Sequence, residues 1–451
     1  MRNKVLLFVL ASALALLGAA CGGDSDSPSV KTAANGPVRV VMWHSMPEPA
    51  GGSLQRIVND FNASQAQYEV ELIFQGGYTD SLNKLINSSG TNNVPDIIQL
   101  SDSSTQIMVD SGAVTPIQRF IDEEGYDLSD FEPKVLSFYT IDGVLYSMPF
   151  NMAGPILYYD RAAFEEAGLD PDDPPSTLEE VRQYSEQLAQ QAGDGESKYG
   201  ISLETSAWHF EQMLAKGGAL YANGENGRSE RATEVVFDNE VGVEIITWWD
   251  DMVADGLAYS AGDAIDSMLK LATGDAAMTI ASTAALRPAI FAIIISGRDP
   301  SQYDTAPMPG PAGNGGVALG GASLWILNEH DEEEQRGAWE FLKYAASPEQ
   351  QAQWHSDTGY FPNRISAYDE PPAVQAREEF PQFLTAIEQL RSSPDTAATS
   401  GILLGPLNAV RARVVQAFEQ VLSGGAEPAA ELEAAVKDAN EIIKEYNRTA
   451  P

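Results

Sequence analysis

VRVVMW at residues 38–43, YEVELIF at 68–74 and PDIIQL at 95–100 are three apolar runs near the start of this 451-residue chain. Each run is short and rich in β-branched or aromatic residues, which is typical of a strand. The intervening stretches, such as residues 54–61, carry apolar side chains at helical spacing instead. Strands that alternate with helices in this way predict a parallel sheet covered by helices, and therefore an α/β fold.

The remainder of the chain is predicted to be mostly helical. A loop rich in proline and glycine, residues 308–316, precedes a predicted strand at 317–319. The apolar stretch 289–296 has the length of a strand or a buried helix and is too short to span a bilayer. Periodic apolar residues predict helices over 178–192, 241–257, 267–273, 333–346, 408–422 and 429–446.

The N-terminus is typical of an export signal. Arg2 and Lys4 precede an apolar run over residues 5–20, which is shorter than the roughly 20 residues of a membrane span. We expect residues 1–20 to be a signal peptide and Cys21, the only cysteine, to become the lipid-carrying first residue of the mature chain. Residues 21–36 are small and polar, and we expect a flexible linker there. The protein would then be held at the outer face of the cytoplasmic membrane or in the periplasm.

The composition describes a globular body with a strongly negative charge. The chain holds 27 Lys and Arg against 65 Asp and Glu, and loss of residues 1–20 would remove two of the basic ones. Such a field repels polyanions, so we expect no nucleic-acid partner. One cysteine permits no internal disulfide, and the length allows two or three domains.

The sequence contains none of the common motifs of a catalytic or metal-binding site. None of the four histidines has a second histidine or a cysteine at metal-ligand spacing, and no nucleophile elbow or phosphate-binding loop occurs. We therefore expect no metal, no cofactor and no enzymatic activity. The many carboxylates leave a secreted carbohydrate-processing enzyme open as an alternative, because such enzymes need only a carboxylate pair.

Short segments along the chain carry a resemblance to one family. These segments are MWHSM (42–46), GGY (76–78), MPFN (148–151), LYYD (157–160), AGLDP (167–171), AMTIAS (277–282), GGASLW (320–325), WH (354–355) and TGY (358–360). Together they resemble the extracellular solute-binding proteins (family 1) of ABC importers, and most closely the sn-glycerol-3-phosphate-binding branch. The resemblance implies a monomer that captures a small solute by hinge closure and delivers it to a membrane permease.

The same resemblance implies a two-lobed periplasmic-binding-protein fold of type II with the ligand cleft between the lobes. One lobe would combine residues 37–150 with 321–366, and the other 151–320 with 367–451. The implied ligand-binding residues are Tyr78, Asp102, Asn151, Thr205, Trp208, Ser282, Thr283, Gly320, Gly321 and Tyr360.

Three positions depart from the pattern of the branch. Thr205 replaces a tryptophan, Met152 or Ala153 replaces a serine, and Leu403 replaces an arginine. A buried phosphate needs cationic donors, which a leucine does not supply.

The missing arginine bears on the ligand class. We expect a carbohydrate or another polyol, which needs only hydroxyl partners and flat apolar surfaces. The alternative is glycerol-3-phosphate or a glycerophosphodiester such as glycerophosphocholine. In that case Arg364 or Arg287 would replace the missing cation, and Asp102 would face a cationic headgroup.

Overall fold

A computed structural model describes residues 36–450 except residues 89, 92 and 191–198. Cys21, the predicted signal peptide and residues 21–35 of the predicted linker lie outside the described residues. The described chain forms two large mixed sheets with helices against their faces, which confirms the predicted α/β fold class.

The first sheet is built from the runs that open the chain. Strands β1 (Val38–His44), β2 (Tyr68–Phe74) and β3 (Ile97–Ser101) lie parallel, in agreement with the prediction. A later strand, β13 (Gly320–Leu327), pairs antiparallel with β3. The order is β2-β1-β3-β13-β4, with β4 at Val114–Thr115 and β7 (Met148–Ala153) also pairing with β13.

The second sheet has the order β10-β9-β11-β8-β12. Its central strand β11 is parallel to β9 and antiparallel to β8. The strand bounds are β8 Pro155–Asp160, β9 Tyr199–Glu204, β10 Ala258–Ala261, β11 Ala276–Ser282 and β12 Tyr303–Pro307; a small hairpin joins β5 (Thr140–Ile141) to β6 (Val144–Leu145).

The helices agree closely with the periodicity of the sequence, and α12 resolves the ambiguous stretch 289–296 as a helix. None of the described helices combines the length and the apolar content that crossing a bilayer requires. The bounds are α1 Ala50–Ser64, α2 Tyr78–Ser88, α3 Thr105–Ser111, α4 Gln118–Glu124, α5 Pro133–Tyr139, α6 Arg161–Glu166, α7 Leu178–Gln190, α8 Ala207–Lys216, α9 (a short turn with left-handed residues) Asn223–Gly227, α10 Glu240–Ala254, α11 Ala264–Thr273, α12 Leu286–Ile295, α13 Glu332–Ala345, α14 Pro348–Thr358, α15 Pro371–Glu379, α16 Thr385–Ser392, α17 Leu407–Gly424 and α18 Pro428–Thr449.

The start of α13 illustrates how local sequence sets these bounds. The Asp331 carboxylate accepts hydrogen bonds from the backbone N–H groups of Glu333 and Glu334, at 2.9 and 3.0 Å. The Glu334 carboxylate returns a bond to the N–H of Asp331, at 3.1 Å. This reciprocal capping box satisfies donors that the first helical turn leaves unpaired.

The predicted strand at 317–319 is wrong. Side chains, and not a neighbouring strand, take the backbone donors there: Ser393 Oγ accepts from Val317 at 3.0 Å, and Gln212 Oε1 accepts from Ala318 at 2.9 Å. The strand begins only at Gly320. Residues 308–319 instead form the connection from β12 in the second sheet to β13 in the first.

The chain also crosses between the sheets at Gly154, where β7 of the first sheet continues into β8 of the second. The C-terminal helices α17 and α18 pack with α10 and α8, which belong to the second core. These crossings lie near the predicted lobe boundaries at 150/151 and 320/321. Which residues move together as lobes stays a prediction.

Candidate functional site

Several predicted ligand-binding residues lie at the carboxyl ends of strands. In open α/β sheets the crevice outside these ends is the usual place for a ligand. Asp102 follows β3, Thr205 follows β9, and Ser282 and Thr283 lie at the end of β11.

A chain of hydrogen bonds fixes the orientation of Tyr78. The N–H of Ser45 donates to Gln99 Oε1 at 3.0 Å, and Gln99 Nε2 donates to Asn151 Oδ1 at 2.7 Å. Asn151 Nδ2 then donates to the Tyr78 hydroxyl oxygen at 2.9 Å. Because both amides are fully buried, the Tyr78 oxygen is held at a defined place at the start of α2.

Tyr360 joins this group from the loop after α14. Its hydroxyl shares hydrogen bonds with Asn151 and Tyr78, and its ring stacks on Trp354 with the ring centroids 5.8 Å apart. Burial raises the pKa of both tyrosine hydroxyls, so both keep their protons at neutral pH. We call Tyr78, Asn151 and Tyr360 the hydroxyl cluster; its groups can donate to and accept from the hydroxyl groups of a solute.

The two glycines at the start of β13 each allow a close approach. A Cβ atom on Gly320 would lie 2.8 Å from Trp208 Cζ2, so the indole packs directly against this residue. Gly321 has φ +117°, and a Cβ there would lie 2.2 Å from the carbonyl oxygen of Asn151. Trp208 is carried by α8, beside the second sheet, and is half-buried. Gly320 therefore makes room for a contact between the two halves of the molecule, whereas Gly321 allows the close pairing of β13 with β7 within the first sheet.

Ser282 and Thr283 lie at the crossing between the sheets. Thr283 is buried, accepts from the N–H of Gly154 at 3.3 Å through Oγ1, and donates its own N–H to the carbonyl of Gly154 at 3.0 Å. Ser282 Oγ caps the following turn by accepting from the N–H of Ala284 at 3.2 Å. Thr283 therefore holds the crossing, whereas the Ser282 hydroxyl is engaged in its own turn.

Asp102 belongs to a buried cluster of three charges. Arg411 on α17 donates to both carboxylate oxygens of Glu211 on α8, at 2.7 and 2.6 Å. It also donates to Asp102 Oδ2 at 3.3 Å, which joins the first sheet to the helices of the second. Burial raises the pKa of Asp102 and of Glu211, while the guanidinium opposes this shift. We call these residues the ion triad.

The ion triad was missed in the sequence because its members lie far apart along the chain. Arg411 is 309 residues from Asp102 and 200 from Glu211. The available signal was the occurrence of charged residues among the apolar positions of α8 and α17. Asp102 therefore already has one cationic partner within the protein, Arg411, which it shares with Glu211.

A small cavity lies beside the ion triad, between the elements of the two sheets. Asp102 is the one predicted ligand-binding residue among those that line it. The lining residues are Asp102, Phe138, Glu211, Gln212, Leu214, Ala219, Tyr221, Asn226, Ala318, Leu319, Ala398, Gly401, Ile402, Leu407 and Arg411.

Leu403, where the related branch has an arginine, is buried next to a different arginine. Its N–H donates to the carbonyl of Asn226 at 2.8 Å. Arg228, two residues after Asn226, donates from Nε to the carbonyl of Gly401 at 3.1 Å. Its Nη1 donates to the carbonyl of Phe138 at 2.8 Å. Phe138 and Gly401 both line the cavity, so this guanidinium adjoins the cavity wall.

Arg228 is buried without a compensating charge from the described part of the chain. Within the described residues it has no carboxylate partner, and its buried Nη2 has no hydrogen-bond acceptor. Burial lowers the pKa of Arg228 to about 10, which still leaves it cationic at neutral pH. Burial raises the pKa of Tyr139, with Asp102 adding to the shift and Arg228 opposing it, so both charges act on one buried phenol.

The two arginines predicted as substitute cations are engaged elsewhere. Arg364 donates to the carbonyl of Ala346 at 2.8 Å and packs its guanidinium carbon 4.0 Å from the centre of the Phe131 ring. Arg287 donates to the carbonyl of Ser356 at 2.6 Å and lies over the Phe383 ring. The structure brings neither of them to Leu403, whose neighbours are residues 226–227.

Comparison with known proteins decides the family. The family model described as "Bacterial extracellular solute-binding protein" matches residues 56–382. The chain belongs to this family. Members of the family bind small solutes and deliver them to the permease subunits of ABC transporters, outside the cytoplasm.

Two curated relatives indicate which branch of the family this chain resembles. The sn-glycerol-3-phosphate-binding periplasmic protein UgpB of Shigella flexneri serotype 5b is 31% identical over 449 residues, covering 98% of this chain and 99% of the relative. UgpB of Escherichia coli K12 is 30% identical with the same coverage. This agrees with the branch that the sequence motifs indicated.

Solved structures confirm the fold. UgpB of Mycobacterium tuberculosis in complex with glycerophosphocholine matches with a TM-score of 0.77 and 22% identity, over 91% of this chain and 99% of that one. The sugar-binding protein MalE of Xanthomonas citri matches with a TM-score of 0.74 and 18% identity, over 91% and 98%. The two-lobed solute-binding architecture is therefore shared by a protein in complex with glycerophosphocholine and by a sugar-binding protein.

Proposed function

We propose that this receptor captures a carbohydrate or another small polyol between the two sheets. The observation that carries the proposal is the hydroxyl cluster, which lies at the sheet edge where ligands of α/β folds bind. Polyhydroxyl ligands need partners that both donate and accept, and two tyrosines with an amide supply them. The indole of Trp208 adds a flat apolar surface from the opposite half.

The ion triad supports a ligand without net negative charge. One guanidinium, Arg411, faces the two carboxylates of Asp102 and Glu211, so no positive charge is left over there. Taking an anion into such a site costs several kcal/mol unless further donors compensate. A neutral sugar or polyol avoids that cost.

We also propose that the chain acts without catalysis and is tethered through a lipid on Cys21. The relatives named above are binding proteins, which supports the first part. The lone cysteine after an export-type apolar run supports the second. Mass spectrometry of the membrane fraction tests the anchor, since replacing Cys21 by serine should release an unlipidated chain.

Replacing Trp208 by alanine is expected to weaken solute binding about 10- to 100-fold. Truncating a tryptophan that packs in a binding site costs about 2 kcal/mol or more. Isothermal titration with the bound sugar or polyol measures the change. Phe291→Ala, which truncates an exposed ring on α12, is the matched control and should leave the affinity within twofold. Equal affinities of the Trp208→Ala variant and the unaltered protein would remove the indole from the site.

A second candidate ligand is a glycerophosphodiester, and Arg228 is the observation that favours it. The guanidinium bonds to the carbonyls of two cavity-lining residues, Gly401 and Phe138, carries no carboxylate partner among the described residues, and has a donor without an acceptor. A phosphodiester oxygen would supply that acceptor in a charge-assisted bond. The cavity-lining Asp102 and Glu211 would then lie near the cationic end of a zwitterionic ligand.

Replacing Arg228 by methionine separates the two candidates. If glycerophosphocholine is the ligand, the variant should bind it at least tenfold more weakly, because a charge-assisted bond is lost. If a neutral sugar is the ligand, its affinity should stay within twofold. Arg413→Met, on α17, removes an arginine that bonds to Gln416 near the surface and serves as the control. Competition titrations with glycerophosphocholine and a sugar panel measure both cases.

A further inference from the structure

Three side chains from distant parts of the chain converge at the end of the first sheet opposite to the proposed solute site. Asp96 precedes β3, whereas Asp102 follows it, so the five residues of that strand separate the two places. His330 lies in the connection from β13 to α13, and Glu334 lies in the first turn of α13. One ligand atom from each of these three residues lies within 4.8 Å of the other two.

Hydrogen bonding fixes which atoms of His330 face the carboxylates. Nε2 lies 2.9 Å from the carbonyl oxygen of Pro95, which can only accept, so this nitrogen carries a proton. Nδ1 faces the other way, 3.1 Å from Asp96 Oδ1 and 3.5 Å from Glu334 Oε2. In the neutral ring Nδ1 therefore presents a lone pair to two oxygens that are themselves acceptors.

The buried carboxylate of Asp96 is a second indication that a positive charge is bound between these three residues. Its side chain is 5% exposed, and Oδ2 accepts from the N–H of Val41 at 2.7 Å. Oδ1 lies 3.1 Å from His330 Nδ1 and has no other partner among the described residues. A buried carboxylate oxygen needs a donor or a positive charge beside it, which either a doubly protonated His330 ring or a bound cation supplies.

We propose that Asp96, His330 and Glu334 bind one divalent transition-metal cation of the Zn²⁺ type. Nitrogen and carboxylate ligands about 2.0–2.1 Å from a tetrahedral Zn²⁺ lie about 3.3 Å from each other, close to the 3.1 and 3.5 Å found around His330 Nδ1. Ligating histidines commonly donate their other N–H to a carbonyl, as His330 does to Pro95. Glu334 is about one-third exposed and leaves a path for the ion and a water ligand.

The residues of this site lie far apart along the chain, so no sequence motif marks it. Pro95 and His330 are 235 residues apart, and no second histidine or cysteine lies near His330 in the sequence. The cation would join the start of β3 to the start of α13 and so stabilise the first sheet. It would not take part in solute binding.

Titration of the exported chain with ZnCl₂ tests the proposal. Cys21→Ser is included in all proteins so that no thiol competes for the metal. We expect one equivalent of Zn²⁺ per chain, a higher melting temperature with the metal, and at least tenfold weaker binding after His330→Gln or Glu334→Gln. Glutamine at position 334 can still form the capping box, so α13 should keep its start. Glu333→Gln, one residue away and exposed, removes the same charge and should bind as the unaltered protein does.

Cobalt provides a second readout, because tetrahedral Co²⁺ at this site would absorb visible light and lose that absorption in the His330→Gln variant. Two results would overturn the proposal: Zn²⁺ binding that the His330 and Glu334 variants leave unchanged, or a His330 ring that stays protonated on both nitrogens in the presence of Zn²⁺. Solute affinity, measured in the same samples, should not change. A failure of the metal site is thereby distinguished from a failure of the proposed receptor function.

Discussion

Replacing Arg411 by methionine is expected to lower the free energy of unfolding by about 3–5 kcal/mol. This is the usual cost of removing one partner from a buried ion pair, because the remaining charge is left without compensation. Here two carboxylates, Asp102 and Glu211, would face each other in a buried place. Methionine keeps much of the volume of the side chain, so the effect reports on charge and not on a cavity. Urea denaturation of both proteins at pH 7 measures it.

Arg413→Met is the matched control for this prediction. Arg413 lies two residues further along α17 and donates to Gln416 at 2.7 Å near the surface. Its replacement should change the stability by no more than about 0.5 kcal/mol. If Arg411→Met also cost less than about 1 kcal/mol, the ion triad would not stabilise the contact between the two halves.

The stability of the protein should fall steeply as the pH is lowered from about 6.5 to about 4. Burial lowers the pKa of His209 and of His355 to about 4, well below the ordinary value of 6.5. Between these values the unfolded chain binds protons at both residues while the folded chain does not, so acid favours unfolding. Each histidine should contribute on the order of 3 kcal/mol over this window.

The environment of His355 explains the shift. Nδ1 donates to the carbonyl oxygen of Tyr360 at 2.7 Å, and Nε2 is buried with no partner among the described residues. A second proton would place an unpaired charge in the core.

The His355→Asn variant isolates this contribution, since its amide can still donate to Tyr360 while its side chain does not titrate. The difference in stability between the variant and the unaltered protein should shift in favour of the variant as the pH falls. The same carboxylates titrate in both proteins, so their contributions to the pH dependence of stability cancel in this comparison. A difference that does not depend on pH would contradict the assignment.

The strands and helices could be predicted because their signals are local. Residues 38–44 and 68–74 form strands where the apolar runs indicated them. The helix over 332–345 begins at a capping box that Asp331 and Glu334 form, three residues apart in the sequence. The strand predicted at 317–319 failed because side chains of Ser393 and Gln212, distant in sequence, take its backbone donors.

The candidate site could be predicted only in part. Tyr78, Asn151 and Tyr360 come together as the resemblance implied, although no spacing rule relates them. The partner of Asp102 could not be foreseen, because the ion triad depends on how α17 packs against the end of β3. The arginine next to Leu403 could not be predicted for the same reason, because Arg228 reaches this place through the packing of the turn at 226–228 on residues 401–403.

The most direct test of the receptor function is isothermal titration of the exported chain with sugars, polyols, glycerol-3-phosphate and glycerophosphocholine, repeated with the Asn151→Ala variant. The account predicts saturable one-to-one binding of a hydroxylated solute and a loss of at least tenfold in affinity in the variant, because Asn151 joins Tyr78 to Tyr360. A solute that binds the variant and the unaltered protein equally well would contradict the placement of the ligand at the hydroxyl cluster.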